Sequence, residues 1–188
     1  MLFKSEAERK EGTDWSPDGR FILFDQAGGN EGTDIWVLPL FGDGKPYALL
    51  QTPFGEFQGH FSPDGRWFAY TSNESGKYEV YVQSFPPSGG KWQVSTGGGA
   101  QPHWRRDGRE LFYVAADRKL MAVSVTAGSS FEPGAPTALF QTQVSGYSAP
   151  NRYVVTSDGQ RFLVNSPVEE VSQTPITVIL NWTVALKR

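Results

Sequence analysis

Two histidines stand at matching places in this chain. His60 precedes Phe61 in "HFSPDG" and His103 precedes Trp104 in "HWRRDG". Asp14 takes the same place in "DWSPDG". Imidazole and carboxylate are ordinary acid–base groups and ordinary metal ligands, so three of them at equivalent positions raise the question of a shared ligand or metal. Spacing alone does not show that they converge. One reading has Asp14, His60 and His103 lining a channel or rim and binding a ligand; the other has each bonding a neighbouring strand or turn, and the second is the expectation. No metal site is expected. Arg105 and Arg106, with Arg109 close by, form a small basic cluster at one turn. They are candidates for meeting an acidic partner, although Asp107 and Glu110 beside them point to a solvated rim.

Other stretches that look chemical do not hold up. Asp18, Asp64, Asp107 and Asp158 each precede a glycine and would make a carboxylate array, but each sits in a turn of its own and serves local bonds there. "DQAGGNEGTD" (25–34) mixes acids, Asn and Gly without the ligand order of an EF-hand and reads as a solvated loop. "GGKW" and "STGGGAQ" lack the spacing of a phosphate-binding loop. There is no G-x-S-x-G elbow, and with two histidines in the chain a Ser/His/Asp triad has little to draw on. No catalytic residue and no cofactor is expected.

The elements that position these groups come from a repeat. The Asp-Gly pairs recur at intervals of 43 to 51 residues. In Ser-Pro-Asp-Gly the proline presets φ at the second turn position, and glycine accepts positive φ at the fourth. Arg106 and Ser157 replace the proline in the third and fourth copies, which keep the Asp-Gly half. Each turn leads into a short strand with apolar residues on both faces: "RFILF", "RWFAY", "RELFYV" and "QRFLV". A sheet with one face in water would alternate apolar with polar, so these sheets are sandwiched between neighbours. Third strands follow at "DIWVLPL", "EVYVQSF", "KLMAVSV" and "ITVILNW", and short outer strands at "YALLQ", "WQVST" and "TALFQ". A repeat of this period with several strands is the signature of a β-propeller.

The expected fold is therefore all-β: about four propeller blades, each an antiparallel four-stranded sheet, forming a closed four-blade ring or part of a larger one. The chain of 188 residues reads as one domain, with blades at about 13–51, 57–96, 100–141 and 148–183. Residues 1–12, including "KSEAERKEG", read as a solvated connector, with a possible outer strand at 2–4. A part-ring would expose apolar blade faces and invite self-association.

Composition limits the partners. The net charge of −3 and the lack of a basic patch argue against nucleic acid. There is no cysteine, so neither disulfides nor thiolate–metal sites contribute. No apolar run approaches the roughly 20 residues that span a bilayer, and the N-terminal dozen lacks the apolar core of a secretory signal.

The repeat resembles the TolB-type propeller repeat, a relative of WD-repeat blades. "DIWVLPLFGDGKP", "FSPDGRWFAYTSNESGKYEVYVQSF", "GGKWQVSTGGG", "HWRRDGRELFYVA" and "PITVILNWT" also resemble the C-terminal propeller part of bacterial serine/threonine protein kinase-propeller proteins. That resemblance implies a bacterial, kinase-associated, non-enzymatic scaffold or sensor module that binds protein, peptide or envelope ligand, outside the cytoplasmic membrane. It carries over no catalytic residue, because the kinase Gly-rich loop and His-Arg-Asp loop are missing from these residues. The alternative is the accessory propeller of an enzyme such as a prolyl-peptidase-like hydrolase, whose catalytic domain lies outside this sequence.

Overall fold

The computed structural model describes residues 10–27, 32–128, 130–144, 152–166 and, for the backbone alone, 177–179. The candidate strand at 2–4, the middle of the 25–34 loop and parts of the fourth repeat lie outside the described residues. Among the described residues all regular structure is β, and no helix is long and apolar enough to cross a membrane.

Four antiparallel sheets follow one another along the chain. The first consists of β1 (Lys10–Trp15), β2 (Phe21–Ala27), β3 (Thr33–Pro39) and β4 (Tyr47–Leu50) in sequence order. The second repeats this with β5 (Glu56–Phe61), β6 (Trp67–Ser72), β7 (Glu79–Ser84) and β8 (Lys91–Gln93). The third holds β9 (Gly99–Trp104), β10 (Glu110–Ala115) and β11 (Lys119–Ala127). Its outer edge is shared by β12 (Phe131–Pro133) and β13 (Thr137–Gln141), both paired to β11. The fourth shows β14 (Tyr153–Val155), β15 (Phe162–Val164) and β16 (Thr177–Ile179). The fold is a β-propeller fold, with the meander of each sheet forming one blade.

Two details depart from the sequence expectation. β1 begins at Lys10, so Lys10–Gly12, read above as connector, pair with Phe24–Gln26. Backbone pairing needs no apolar side chain, and composition therefore misjudged this segment. β12 was not foreseen: its three residues carry one core side chain, Phe131, too little for a strand signal.

The Asp-Gly turns behave as their chemistry requires. Gly19, Gly65, Gly108 and Gly159 all have φ between 71° and 73° or, at Gly65, 69°, the left-handed region that a side chain resists. In the first turn Ser16 Oγ donates to Asp18 Oδ1 at 2.6 Å and accepts from the Phe21 N–H at 2.9 Å. The Arg20 N–H donates to the same Asp18 oxygen at 3.0 Å. Ser62 and Asp64 repeat the pattern, and Thr156 with Asp158 does so in the fourth copy. These bonds, the Ser16 hydroxyl first and the Arg20 N–H next, hold the Asp18 carboxyl below the ordinary aspartate range. The carboxylates are turn fittings, as expected. Successive turns also lie close together. A Cβ at Gly65 would lie 3.8 Å from Pro17 Cδ, one at Gly108 3.8 Å from Pro63 Cδ, and one at Gly159 3.0 Å from Arg105 Cδ.

The core lies between blades. Leu23, Ile35 and Val37 of the first blade meet Phe68, Tyr70 and Tyr81 of the second. Trp67, Ala69, Val80 and Val82 of the second meet Leu111, Tyr113, Val123 and Val125 of the third. Phe112, Val114, Leu120 and Ala122 of the third meet Tyr153, Phe162 and Val164 of the fourth. Adjacent residues on one strand thus serve opposite interfaces, which is why each central strand is apolar on both faces.

Candidate functional site

β1, β5, β9 and β14 are the first strands of their blades, and they bring the sequence-predicted polar residues into one line. Bulges in β1, β5 and β9 break the register just before Asp14, His60 and His103 or nearby. In β5 and β9 they place Gln58 and Gln101 at φ of 59° and 55°. Asp14 Oδ2 accepts the Phe61 N–H at 2.8 Å and lies 3.7 Å from His60 Nδ1. The His60 and His103 rings stand 4.4 Å apart, tilted by 41°. His103 in turn meets Tyr153 edge-on at 4.7 Å. The His60 carbonyl accepts Trp104 Nε1–H at 3.1 Å.

Convergence is therefore real, but its bonds are those of a joint. Asp14 is spent on a backbone N–H of the next blade. His103 Nε2 is sealed from solvent with no hydrogen-bond partner. Burial, and then the His60 ring beside it, push the His103 pKa well below the ordinary histidine value, so the ring is neutral. Burial likewise raises the Tyr153 phenol well above its usual range. No group of three His, Cys, Asp or Glu side chains among the described residues is placed to hold a metal ion.

The two arginines part company. Arg105 Nη1 donates to Glu110 Oε2 at 2.9 Å, and its Nε lies 3.4 Å from Asp107 Oδ1. Its stem packs beneath Gly159 of the next turn, so Arg105 braces two turns. Arg106, in contrast, is exposed at the turn tip.

Sequence reasoning missed a polar relay directly behind the histidines. Asp25 Oδ2 accepts the Gln58 N–H at 2.9 Å, Gln58 Oε1 accepts the Gln101 N–H at 2.9 Å, and Gln101 Oε1 accepts the Arg152 N–H at 2.8 Å. Each bond crosses from one blade to the next and satisfies a backbone donor, and in β5 and β9 that donor, Gln58 or Gln101, is one that a bulge has freed. The signal was present as "QGH" and "QPH" at matching positions. Glu79, fully buried, was missed as well; it accepts the Gly98 N–H at 2.9 Å and the Ser95 hydroxyl, closing the turn after β8.

A groove opens beside this line, at the turn end of the second and third blades. It encloses about 530 Å³, and its walls include Ser62, Asp64, Trp104, Asp107, Arg109 and Thr126. One wide indole wall, two carboxylates and one guanidinium suit a peptide-like ligand better than a small apolar one. Asp64, Asp107 and Arg109 are all exposed; Asp64 pairs with Arg66 at 2.8 Å and Asp107 lies 3.4 Å from Arg105, whereas Arg109 is in none of the ion pairs among the described residues.

Comparison with protein-family models gives no match, and no curated protein matches. Solved structures do. TolB from Acinetobacter baumannii superposes with a TM-score of 0.71 at 18% identity, over 96% of this chain and 42% of that one. A puromycin-hydrolyzing peptidase from Mycobacterium tuberculosis gives 0.61 at 19% identity, over 83% of this chain and 28% of that one. The β-propeller domain of the trilobed protease from Pyrococcus furiosus gives 0.55 at 14% identity, over 92% of this chain and 53% of that domain. At these identities the likeness is one of fold, and the chain spans less than half the length of the Acinetobacter protein: what it shares with TolB and with peptidase propellers is the stacked-blade architecture.

Proposed function

We propose that the chain is a non-catalytic binding module that receives a protein or peptide segment at the groove between its second and third blades. The carrying observation is the groove itself, with its indole wall and exposed Asp107 and Arg109. Against catalysis by the axial line stands its chemistry: Asp14 is held by a backbone N–H, and the Nε2 of His103, a half-buried neutral ring, is shut off from solvent. General acid–base work needs a group within reach of a substrate proton. The resemblance of the repeat to kinase-associated propellers supports a module carried beside a catalytic domain, with its ligand outside the cytoplasmic membrane. The peptidase neighbours support a second reading, an accessory propeller that screens peptide substrates for a hydrolase domain.

Selection of the 188-residue chain against a random-peptide display library tests the first reading. Peptides captured by the parent should bind Arg109→Glu about tenfold or more weakly, the effect of reversing a charge beside a bound segment. Capture that is indifferent to Arg109→Glu, Asp107→Lys and Thr126→Arg would remove the groove from consideration. A parallel screen with fluorogenic ester and peptide substrates should show no turnover. Turnover abolished by one point substitution would overturn the non-catalytic assignment.

A further inference from the structure

Most polar atoms that line the groove between the second and third blades are already bonded. Ser62 Oγ donates to Asp64 Oδ1 at 2.6 Å and accepts the Trp67 N–H at 3.0 Å. Asp64 Oδ1 also accepts the Arg66 N–H at 3.1 Å, and its Oδ2 accepts the Arg66 Nε–H at 2.8 Å. In the facing turn the Gly108 N–H donates to the Arg105 carbonyl at 2.9 Å, and the Arg109 N–H donates to Asp107 Oδ1 at 3.1 Å. Trp104 Nε1–H donates to the His60 carbonyl, so the indole offers the groove only its apolar surface.

Two lining groups keep their donors. The Arg109 guanidinium and the Thr126 hydroxyl are exposed and form no hydrogen bond or ion pair among the described residues. Arg66 matches the charge of Asp64, and Arg105 lies 3.4 Å from Asp107. The charge left for a ligand is therefore that of Arg109, and it calls for an anion. A guanidinium holds a carboxylate through two parallel N–H···O bonds. The walls are also joined across the groove. Pro63 Cδ lies 3.8 Å from the Cβ position of Gly108, and Arg66 Nη1 donates to the Gly128 carbonyl, next to Ala127, at 3.1 Å. A strand that runs through a groove needs an opening at both ends; a chain end needs one.

We propose that the groove takes the C-terminal end of a peptide, with the terminal carboxylate on Arg109 and Thr126 and an apolar last side chain against Trp104 and Val125. The assignment rests on the groove being the peptide site. Capture of a terminal carboxylate is a recurring mode of peptide recognition, and here the side chains serve it, since the backbone donors of the turn are spent.

One set of random heptapeptides on two arrays tests it, anchored either by the N-terminus, with the carboxylate free, or by the C-terminus. The 188-residue chain should bind spots on the first array and not their counterparts on the second. The bound sequences should share an apolar last residue. Resynthesised as N-acetyl acids and as amides, they should lose about tenfold or more in affinity on amidation, read by fluorescence polarisation. On Arg109→Gln the acid and the amide should bind alike, and Thr126→Val should narrow the gap between them. Peptides that lose binding on Thr126→Arg yet bind the parent equally well as amides would overturn the terminal carboxylate and leave the groove as a peptide site. Amides that stay tight and depend on Arg109 through an internal Asp or Glu would do the same. Peptides indifferent to Arg109→Glu and Thr126→Arg, or no bound peptide on either array, would overturn the groove reading and this assignment with it. The comparison of acid with amide on the parent needs no variant, so a variant that failed to fold would not blunt the test.

Discussion

Acid should loosen the joint between the second, third and fourth blades, and His103 supplies the magnitude. Its pKa in the folded chain lies well below 6.5, through burial first and the neighbouring His60 second. In the unfolded chain it returns to about 6.5. The unfolded state therefore binds more protons at mildly acidic pH, and stability falls as pH falls: the contribution is complete above about pH 6.5 and is lost below it. With a folded ring that stays neutral, going from pH 7.5 to pH 5 costs about 2 kcal/mol by linkage. Other groups titrate in the same window. Burial raises the Glu56 and Asp34 carboxyls, which favours the folded state as pH falls. The difference between parent and His103→Phe cancels them. Urea unfolding followed by tryptophan fluorescence, at pH steps from 7.5 to 5, should show the parent losing about 2 kcal/mol relative to the variant. Equal pH slopes for the two proteins would show that the ring protonates freely in the folded state, and the packing of His103 against His60 and Tyr153 would then be wrong.

Three further outcomes follow from the packing. Trp67→Ala should cost roughly 3–5 kcal/mol, because the indole is buried between blades against Trp92 and Phe131; Trp67→Phe should cost far less, since the indole nitrogen has no acceptor to lose. A near-neutral Trp67→Ala in thermal or urea unfolding would contradict that burial. Gly65→Val should destabilise by about 1–3 kcal/mol or more, because φ at this position is 69°. A melting temperature equal to the parent's would deny the turn geometry. Gln101→Leu should cost on the order of 1–3 kcal/mol by leaving the Arg152 N–H without its acceptor, and amide hydrogen exchange should show Arg152 losing protection first.

Much of this architecture was legible in the sequence because turn chemistry and sheet burial are local. Asp-Gly at a regular interval marks the turns through the steric demand at glycine. Strands such as "RWFAY", apolar on both faces, announce a sheet with neighbours on each side. The line of Asp14, His60 and His103 was visible as a set of equivalent positions, but its purpose was not. Whether two rings meet depends on bulges at Gln58 and Gln101, and a bulge leaves only a faint trace in a single sequence. Arg105 read as part of a rim cluster, yet it braces the Gly159 turn, a contact made across about fifty residues of chain. Glu79 carried no signal in the sequence, because its burial comes from the turn after β8 that closes over it. Lys10–Gly12 shows the opposite failure, where polar composition hid a strand held by its backbone.

The central claim is that the four Asp-Gly turns lie side by side at one end of a stack of sheets. Proton–proton nuclear Overhauser spectra of the isotope-labelled chain test this without any substitution. Cross-peaks are expected from the Pro17 δ-protons to the Gly65 α-protons and from the Pro63 δ-protons to the Gly108 α-protons, because one α-proton of each glycine points along the direction in which a Cβ would lie 3.8 Å from the proline Cδ. Assigned spectra lacking both sets of cross-peaks would contradict the stacking on which every other conclusion rests.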